Sequence, residues 1–190
     1  MRVVVEVWWS SLVAADSRLL GDLDPVERMR LKTMDRQADR GRSLVGFALL
    51  RVAVGEHLGI APHDVLIDRT CADCGEPHGR PRVAGPRSTA PSVSVSHSGL
   101  LVVIALSADT VVGVDVQRVA DLDDPAGAAP PDVEGWVRRE AIRKLGVDGR
   151  PDLHALAPPL DGYAAALATL TPPDADVEVL VRHWAADSGA

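Results

Sequence analysis

Long apolar runs are absent from this chain of 190 residues. None reaches the roughly 18 residues that a membrane-spanning helix needs, and the N-terminus lacks the charged, apolar and small-residue regions of a signal peptide. We therefore expect a cytoplasmic location and no membrane partner. The 46% hydrophobic and 25% charged content is typical of a globular chain with a buried core, in one domain or in two small ones.

Basic residues are also fewer than acidic residues in this chain. The chain has 20 lysines and arginines against 27 acidic residues, a net charge of -7. Broad nucleic-acid binding needs a basic surface to neutralise phosphates, so we do not expect nucleic acid as a partner. Lys32 and Lys144 are the only lysines, and we attach no function to this preference for arginine.

Cysteine occurs only at Cys71 and Cys74, within CADCGEPHG, with His78 close by. Two thiols and one imidazole are fewer than the four ligands of a usual structural zinc site. The segment therefore favours a surface turn over a zinc site, and the role of the two cysteines stays open.

Local patterns predict a strand and two helices in the first third of the chain. Residues 2–9 are β-branched and aromatic, which is typical of a strand. Asp24-Pro25 combines a capping aspartate with a proline at the first helical position. A longer helix is predicted from about residue 40 to 57, where apolar residues recur at spacings of three and four: Leu44, Val45, Ala48, Leu49 and Val52.

The rest of the chain changes to short β-like runs. They occupy residues 65–69, 81–85, 92–98, 100–107 and 111–119 and predict a mostly antiparallel meander. Residues 120–135 are rich in Ala, Asp, Pro and Gly and predict a loop. A helix begins near Val133, and after Gly146 the sequence is loop-like until a strand at residues 177–185. These elements indicate an α+β protein with two halves.

The run VVGVDVQRV, residues 111–119, carries a carboxylate among valines. A strand period of two turns the valines to one face and the other residues to the opposite face: Gly113, Asp115 and Gln117. An unpaired buried carboxylate costs several kcal/mol, so Asp115 needs a partner, a metal or water. Taken alone, this segment is better explained by an edge strand whose polar face lies in solvent.

One helix stripe carries Trp136, Glu140 and Lys144 at intervals of four residues. Glu140 and Lys144 alone would suggest an ordinary surface ion pair, but the tryptophan indicates that this face is partly buried. A carboxylate on such a helix and one on a strand are the hard oxygen ligands that Mg²⁺ prefers.

Two further segments carry polar groups suited to phosphate. SVSVSHSG, residues 92–99, alternates its serines with Val93, Val95 and His97. Ser96 and His97 at its end suit a phosphate or an adenine ring, or have a purely structural role. In HGRPRV, the Gly-x-Pro turn is expected to present Arg80 outward, where a guanidinium can bind phosphate.

In this order, HGRPRV, SVSVSHSG, VVGVDV and WVRREAIRKLG resemble the successive motifs of the 4'-phosphopantetheinyl transferases of the surfactin-activator (Sfp) type. PVERMR and DRGRSLVGFALLR resemble helices of that family, so the likeness covers most of residues 1–147. The resemblance implies an α+β pseudo-dimer of two similar halves, residues 1–108 with the nucleotide-phosphate site and residues 109–190 with the metal site. The active site is then expected in the cleft between them.

The resemblance also implies a reaction. The phosphopantetheine arm of coenzyme A would pass to a serine of an acyl or peptidyl carrier protein, with Mg²⁺ held by Asp115, Glu140 and Gln117. Glu140 would accept the serine proton and Lys144 would lie on the attacked phosphate, which makes these two the catalytic pair. Coenzyme A would be held by Arg30, Arg42, Arg80, Ser96, His97 and Lys144.

Two departures from the family's pattern accompany this likeness. Gln117 stands where the family often has a second acidic residue; its amide supplies one oxygen but no charge. Residues 120–135 are shorter than the family's usual segment. Two alternatives therefore stand beside a monomeric transferase: a catalytically weak relative that binds coenzyme A or a carrier protein in a regulatory or scaffolding role, and an unrelated α+β domain with solvated charges.

Overall fold

The fold is described by a computed structural model that covers residues 1–85, 90–122 and 132–186. Its strands are β1 Arg2–Ser11, β2 Ile67–Asp68, β3 Arg82–Val83, β4 Ser92–Ser98, β5 Leu101–Ser107, β6 Val111–Arg118, β7 Asp152–Leu156, β8 Tyr163–Leu170 and β9 Asp176–His183. Its α-helices are α1 Pro25–Lys32, α2 Gln37–Leu58 and α3 Val133–Arg143, and four short 3₁₀ turns complete the described elements. The predicted mixed α+β class is confirmed.

Two larger sheets and one two-stranded ribbon organise these strands. The first sheet has the order β4-β5-β1-β9 and the second has the order β6-β8-β7. In the first sheet β1 runs antiparallel to β5 and parallel to β9, so the predicted late strand is confirmed. The predicted mostly antiparallel meander is wrong at two points. The ribbon of β2 and β3 is separate from β4, and β5 pairs with β1 before the chain enters the second sheet at β6.

The loop predicted after Gly146 is also wrong, since it contains β7 and β8. The sequence of β8, YAAALATL, is rich in alanine, which has a low strand propensity. Its small side chains are explained by packing: Ala166 and Ala168 lie in one cluster with Val137, Ala141 and Leu145 at α3. This helix covers β8, and that non-local contact leaves no local signal.

Layered packing follows from strand alternation. Val3, Val5 and Val7 of β1 face the second sheet and pack with the valines of β6. The opposite face of the first sheet, with Trp8, packs against α2. The four layers are therefore α2, the first sheet, the second sheet and α3.

The helices begin and end close to their predicted bounds. Asp24 caps α1 by accepting a hydrogen bond from the Glu27 N–H at 2.8 Å, and Glu27 reciprocates as a capping box. Helix α2 begins three residues earlier than predicted, at Gln37, and ends at Leu58 before Gly59, whose positive φ of 68° closes it.

A seam between β4 and β6 joins the two sheets through side chains. Four serine hydroxyls of β4 accept hydrogen bonds at 3.0–3.3 Å from backbone N–H groups of β6. The pairs are Ser92 with Val112, Ser94 with Val114, Ser96 with Val116, and Ser98 with Arg118. The predicted serine face thus exists, and it satisfies the edge of β6 that faces away from β8.

Two cations satisfy carbonyl groups along the same seam. Lys144 donates to the carbonyls of Val95 and Val114 at 3.4 and 3.1 Å. Arg80 donates to the carbonyls two residues earlier in each strand, those of Val93 at 3.3 Å and Val112 at 2.9 Å. Arg80 is exposed, but its guanidinium binds backbone oxygens, because these strand carbonyls have no neighbouring strand. Its contact with phosphate stays a prediction.

The structure tests the predicted loop, the boundary between the halves and the membrane prediction only in part. Most of the predicted loop at residues 120–135 lies outside the described residues, which end at 122 and resume at 132. The boundary between residues 108 and 109 stays a prediction. In the described part of the chain, no helix has both the length and the apolarity to cross a membrane.

The seam makes a stability prediction at Ser94, which is 2% exposed. Ser94→Ala leaves the buried N–H of Val114 without its acceptor and is expected to lower the free energy of unfolding by about 1–3 kcal/mol. Ser17→Ala, at an exposed position, is the control and should change it by less than about 0.5 kcal/mol. Urea unfolding measures both, and equal losses would contradict a bonding role for the seam.

Candidate active site

A pocket of about 430 Å³ opens beside the seam. Its walls come from α1, α2, the region around β2 and β3, β4, β6 and α3. Six charged side chains line it: Arg30, Arg69, Arg143, Lys144, Asp115 and Glu140. Four cations against two carboxylates give this pocket a positive balance within a chain of net charge -7, which suits an anionic ligand.

Asp115 has the partners that a buried carboxylate needs. It is 6% exposed, and its Oδ1 accepts hydrogen bonds from Ser96 Oγ and Lys144 Nζ, both at 2.7 Å. Helix α3 reaches this position because Gly113 has no side chain: a Cβ there would collide with the carbonyl oxygen of Ala141. The glycine in the strand therefore brings Lys144 to the aspartate.

Glu140 lies on the same pocket wall with a more open side chain. Its carboxylate pairs with Arg143, with the shortest contact at 2.6 Å. Hydrogen bonding and the positive charge of Arg143 lower the pKa of Glu140, with a smaller contribution from Lys144. The carboxylate is consequently ionised at neutral pH. Trp136 lines the pocket but is 42% exposed, so this part of the stripe is less buried than its tryptophan suggested.

The oxygen donors at this wall suit a hard divalent cation. Asp115 and Glu140 contribute carboxylates, and Gln117, which also lines the pocket, contributes an amide oxygen. In the structure Lys144 and Arg143 balance the two carboxylates. The residue types fit Mg²⁺, with room left for water and phosphate oxygens.

A second, cationic wall of the pocket is formed by Arg30, which the resemblance predicted, and by Arg69, which the sequence did not predict. The guanidinium of Arg69 lies 4.6 Å from the centre of the Phe47 ring, and that of Arg30 lies 5.6 Å from it. Glu27, 1% exposed, pairs with Arg69 at 3.5 Å and with the buried Arg51 at 2.8 Å. The Nε of Arg69 is buried with no hydrogen-bond partner among the described residues. Arg69 is the last residue of the predicted strand at 65–69, and its sequence context did not mark it as a binding residue.

His97 reaches solvent at the mouth of the pocket. Desolvation by the pocket walls, followed by the positive charges of Arg42 and Lys144, lowers the pKa of His97 below its usual value of 6.5. The imidazole is therefore neutral at pH 7. It gains a proton readily only when a negative charge is brought beside it.

Two predicted ligand-binding residues do not line the pocket. Arg42 donates to the carbonyl of Gly99 at 2.8 Å and pairs with Asp39, although its charge still reaches His97. Arg80 is bound to the seam and to the carbonyl of Leu145 at 2.5 Å. The structure thus brings Arg30, Ser96, His97, Asp115, Gln117, Glu140 and Lys144 together in one pocket and places Arg42 and Arg80 beside it.

The sequence of this chain matches a known protein family. The family described as 4'-phosphopantetheinyl transferase, N-terminal, matches residues 8–109, which is more than half of the chain. The chain therefore belongs to the 4'-phosphopantetheinyl transferase family.

A curated relative also resembles this chain. The chain is 32% identical over 120 residues to a phosphopantetheinyl transferase from Thraustochytrium sp.. The aligned region covers 60% of this chain and 40% of that protein. The chain therefore spans less than half the length of this relative.

The charges around His97 yield a prediction for the protein without ligand. Arg42→Met removes one positive charge and should raise the pKa of His97, as followed by the ring C–H resonances in an NMR titration. Arg150→Met, an exposed arginine outside the pocket, is the matched control and should leave that pKa unchanged. An equal pKa in wild type and Arg42→Met would contradict this electrostatic explanation.

Proposed function

We propose that this protein transfers the 4'-phosphopantetheine group of coenzyme A to a serine of an acyl or peptidyl carrier protein, in a reaction that needs Mg²⁺. The apo carrier becomes the holo carrier, and adenosine 3',5'-bisphosphate leaves. The observation that carries this proposal is the pocket in which two carboxylates and an amide oxygen face four cations. Family membership adds the substrate class.

The charged residues of the pocket suit phosphoryl transfer. Phosphoryl transfer depends mainly on alignment and on neutralisation of charge at the phosphates. Mg²⁺, held by Asp115, Glu140 and Gln117, would neutralise the pyrophosphate of coenzyme A. Lys144 holds Asp115 in place at 2.7 Å and adds positive charge where the attacked phosphate would lie.

Glu140 is proposed as the base for the carrier serine. Its lowered pKa keeps it ionised, so it has a free site for the proton at neutral pH. A carboxylate of lowered pKa is a weaker base, and proximity to the serine compensates for this. Arg143 pairs with Glu140 and fixes the orientation of its carboxylate.

The nucleotide phosphates are assigned to the cationic wall. Arg30 and Arg69 line the pocket, and His97 stands at its mouth. Because the Ser96 hydroxyl donates to Asp115, we assign Ser96 a positioning role in addition to its proposed contact with coenzyme A. Arg42 and Arg80 would act from outside the pocket, through charge and through the seam respectively.

The remaining features of the proposal concern the whole protein. We propose a monomer in which the halves 1–108 and 109–190 form a pseudo-dimer with the pocket in the cleft between them. The pocket is lined from both sides of that boundary, for example by Arg69 and by Glu140, which supports this arrangement. A cytoplasmic location, where coenzyme A and carrier proteins meet, completes it.

Transfer is tested with coenzyme A, Mg²⁺ and a panel of apo carrier proteins. Mass spectrometry of the carrier should show the added phosphopantetheine with wild-type protein. Asp115→Ala and Glu140→Ala should each lower the rate by about a hundredfold or more, because each removes a metal ligand or the base. Glu134→Ala, an exposed glutamate of the same helix that does not line the pocket, should keep full activity.

The same assay separates the alternatives. Binding of coenzyme A without mass addition to any carrier would support a regulatory or scaffolding relative, and absence of binding would remove the proposal altogether. Unfolding of both alanine variants, detected by circular dichroism, would reassign the carboxylates to a structural role.

The affinity for coenzyme A should depend on pH through His97. A bound phosphate raises the pKa of the imidazole, so binding takes up a proton and should tighten as the pH falls toward the lowered pKa of the free protein. Calorimetric titrations between pH 8 and 6, about that range being where histidine responds, measure this. His97→Ala should flatten the dependence, and an unchanged slope in that variant would place the responsible proton elsewhere.

A further inference from the structure

A second group of metal-ligating side chains lies apart from the pocket. Cys71, Cys74 and His78 lie between β2 and β3, and their ligand atoms are all within 4.8 Å of one another. The Sγ of Cys74 is 3.0 Å from Nε2 of His78. Among the described residues, no other set of three or more histidine, cysteine, aspartate or glutamate side chains converges in this way.

The backbone around Cys71 is shaped to stabilise a thiolate. The backbone N–H groups of Asp73 and Cys74 lie close enough to the Cys71 sulfur to favour its thiolate form. Gly75 follows the second cysteine with a φ of 78°, and its N–H donates to the carbonyl of Cys71 at 2.9 Å. A turn that directs two N–H groups at one sulfur suits a sulfur with negative charge, which is the form that binds a metal.

Backbone hydrogen bonds within the turn also stabilise its shape. The Cys71 N–H donates to the carbonyl of Glu76 at 2.8 Å, and the His78 N–H donates to the same carbonyl at 2.9 Å. Gly79 fits because it has no Cβ, which would come within 2.9 Å of the Cys71 Cα. The three ligand residues are thus held on one compact turn before any ion binds.

We propose that Cys71, Cys74 and His78 bind a Zn²⁺ ion, with a water molecule as the fourth ligand. Zn–S and Zn–N distances near 2.3 and 2.0 Å place tetrahedral ligands about 3.3–3.8 Å apart, so shifts of about 1 Å would close the cluster around the ion. Cys74 and His78 are exposed and free to make them. Two thiolates favour zinc over Mg²⁺, which distinguishes this site from the oxygen ligands of the pocket.

The ion would hold in place the segment between Arg69 and Arg80. Arg69, which lines the pocket, precedes the cluster, and Arg80, which ties the seam, follows it. Within the segment, the carbonyl of Pro77 accepts a hydrogen bond from Arg30 at 3.1 Å. Zinc would therefore hold this connection in the conformation that places these arginines.

Cobalt substitution tests the site without any assay of activity. The full chain is reduced, stripped of metal with a chelator and titrated with Co²⁺. One equivalent should produce thiolate-to-cobalt charge-transfer absorption and the intense d–d bands of a tetrahedral ion, and one equivalent of Zn²⁺ should abolish both. Zn²⁺ should also raise the thermal unfolding midpoint, since it binds the preformed turn more tightly than the unfolded chain.

Variants identify the ligands. Cys74→Ser should abolish the charge-transfer band or shift it strongly, and His78→Ala should weaken Co²⁺ binding at least tenfold. His63→Ala, an exposed histidine away from the cluster, and Asp115→Ala should leave the spectrum unchanged. The second control keeps this result independent of the proposed transferase site.

Three outcomes would overturn the proposal. The reduced wild-type protein could show no thiolate-to-cobalt absorption, which is decisive without any variant. The band could survive Cys74→Ser in protein shown by circular dichroism to be folded. Mass spectrometry could show a Cys71–Cys74 disulfide whose reduction gives a protein that takes up no metal.

Discussion

The seam between β4 and β6 is the constraint on which the site depends. An edge strand with open N–H and C=O groups normally pairs with another strand, but here β4 offers serine hydroxyls to the N–H groups of β6. Arg80 and Lys144 satisfy four carbonyls along the seam, those of Val93, Val95, Val112 and Val114. Since these bonds come from side chains, the seam has polar and charged groups where a backbone ladder would have none.

Some of these polar and charged groups line the pocket, beside Ser96 of the seam. Ser96 and Lys144 meet Asp115 there, each at 2.7 Å, so the carboxylate is buried without being unpaired. The same lysine bonds backbone oxygens of both strands, which couples its position to the junction of the two sheets. Structure and chemistry are consequently hard to separate at Lys144: a substitution there alters the seam as well as the charge in the pocket.

Both carboxylates of the pocket wall form ion pairs whose partners a metal ion and an anionic ligand could replace. Glu140 with Arg143, and Asp115 with Lys144, are balanced in the protein alone. A metal ion and a polyanionic ligand would supply both signs of charge at once, so the exchange of partners need not leave an uncompensated charge. The Cys71, Cys74 and His78 cluster is chemically separate, because thiolates and hard oxygen ligands select different ions.

The sequence by itself determined the features that depend on local order. The alternation of serines in β4, the opposite faces of the valines and Asp115 in β6, and the capped start of α1 follow from periods and capping chemistry within a few residues. Only the tertiary structure decided where side chains from distant elements meet. The Arg80 guanidinium binds unpaired strand carbonyls, Arg69 lines the pocket and lies over Phe47, and the alanines of β8 form a strand because α3 covers them. Each of these rests on contacts between residues far apart in the chain, for which local propensity carries no signal.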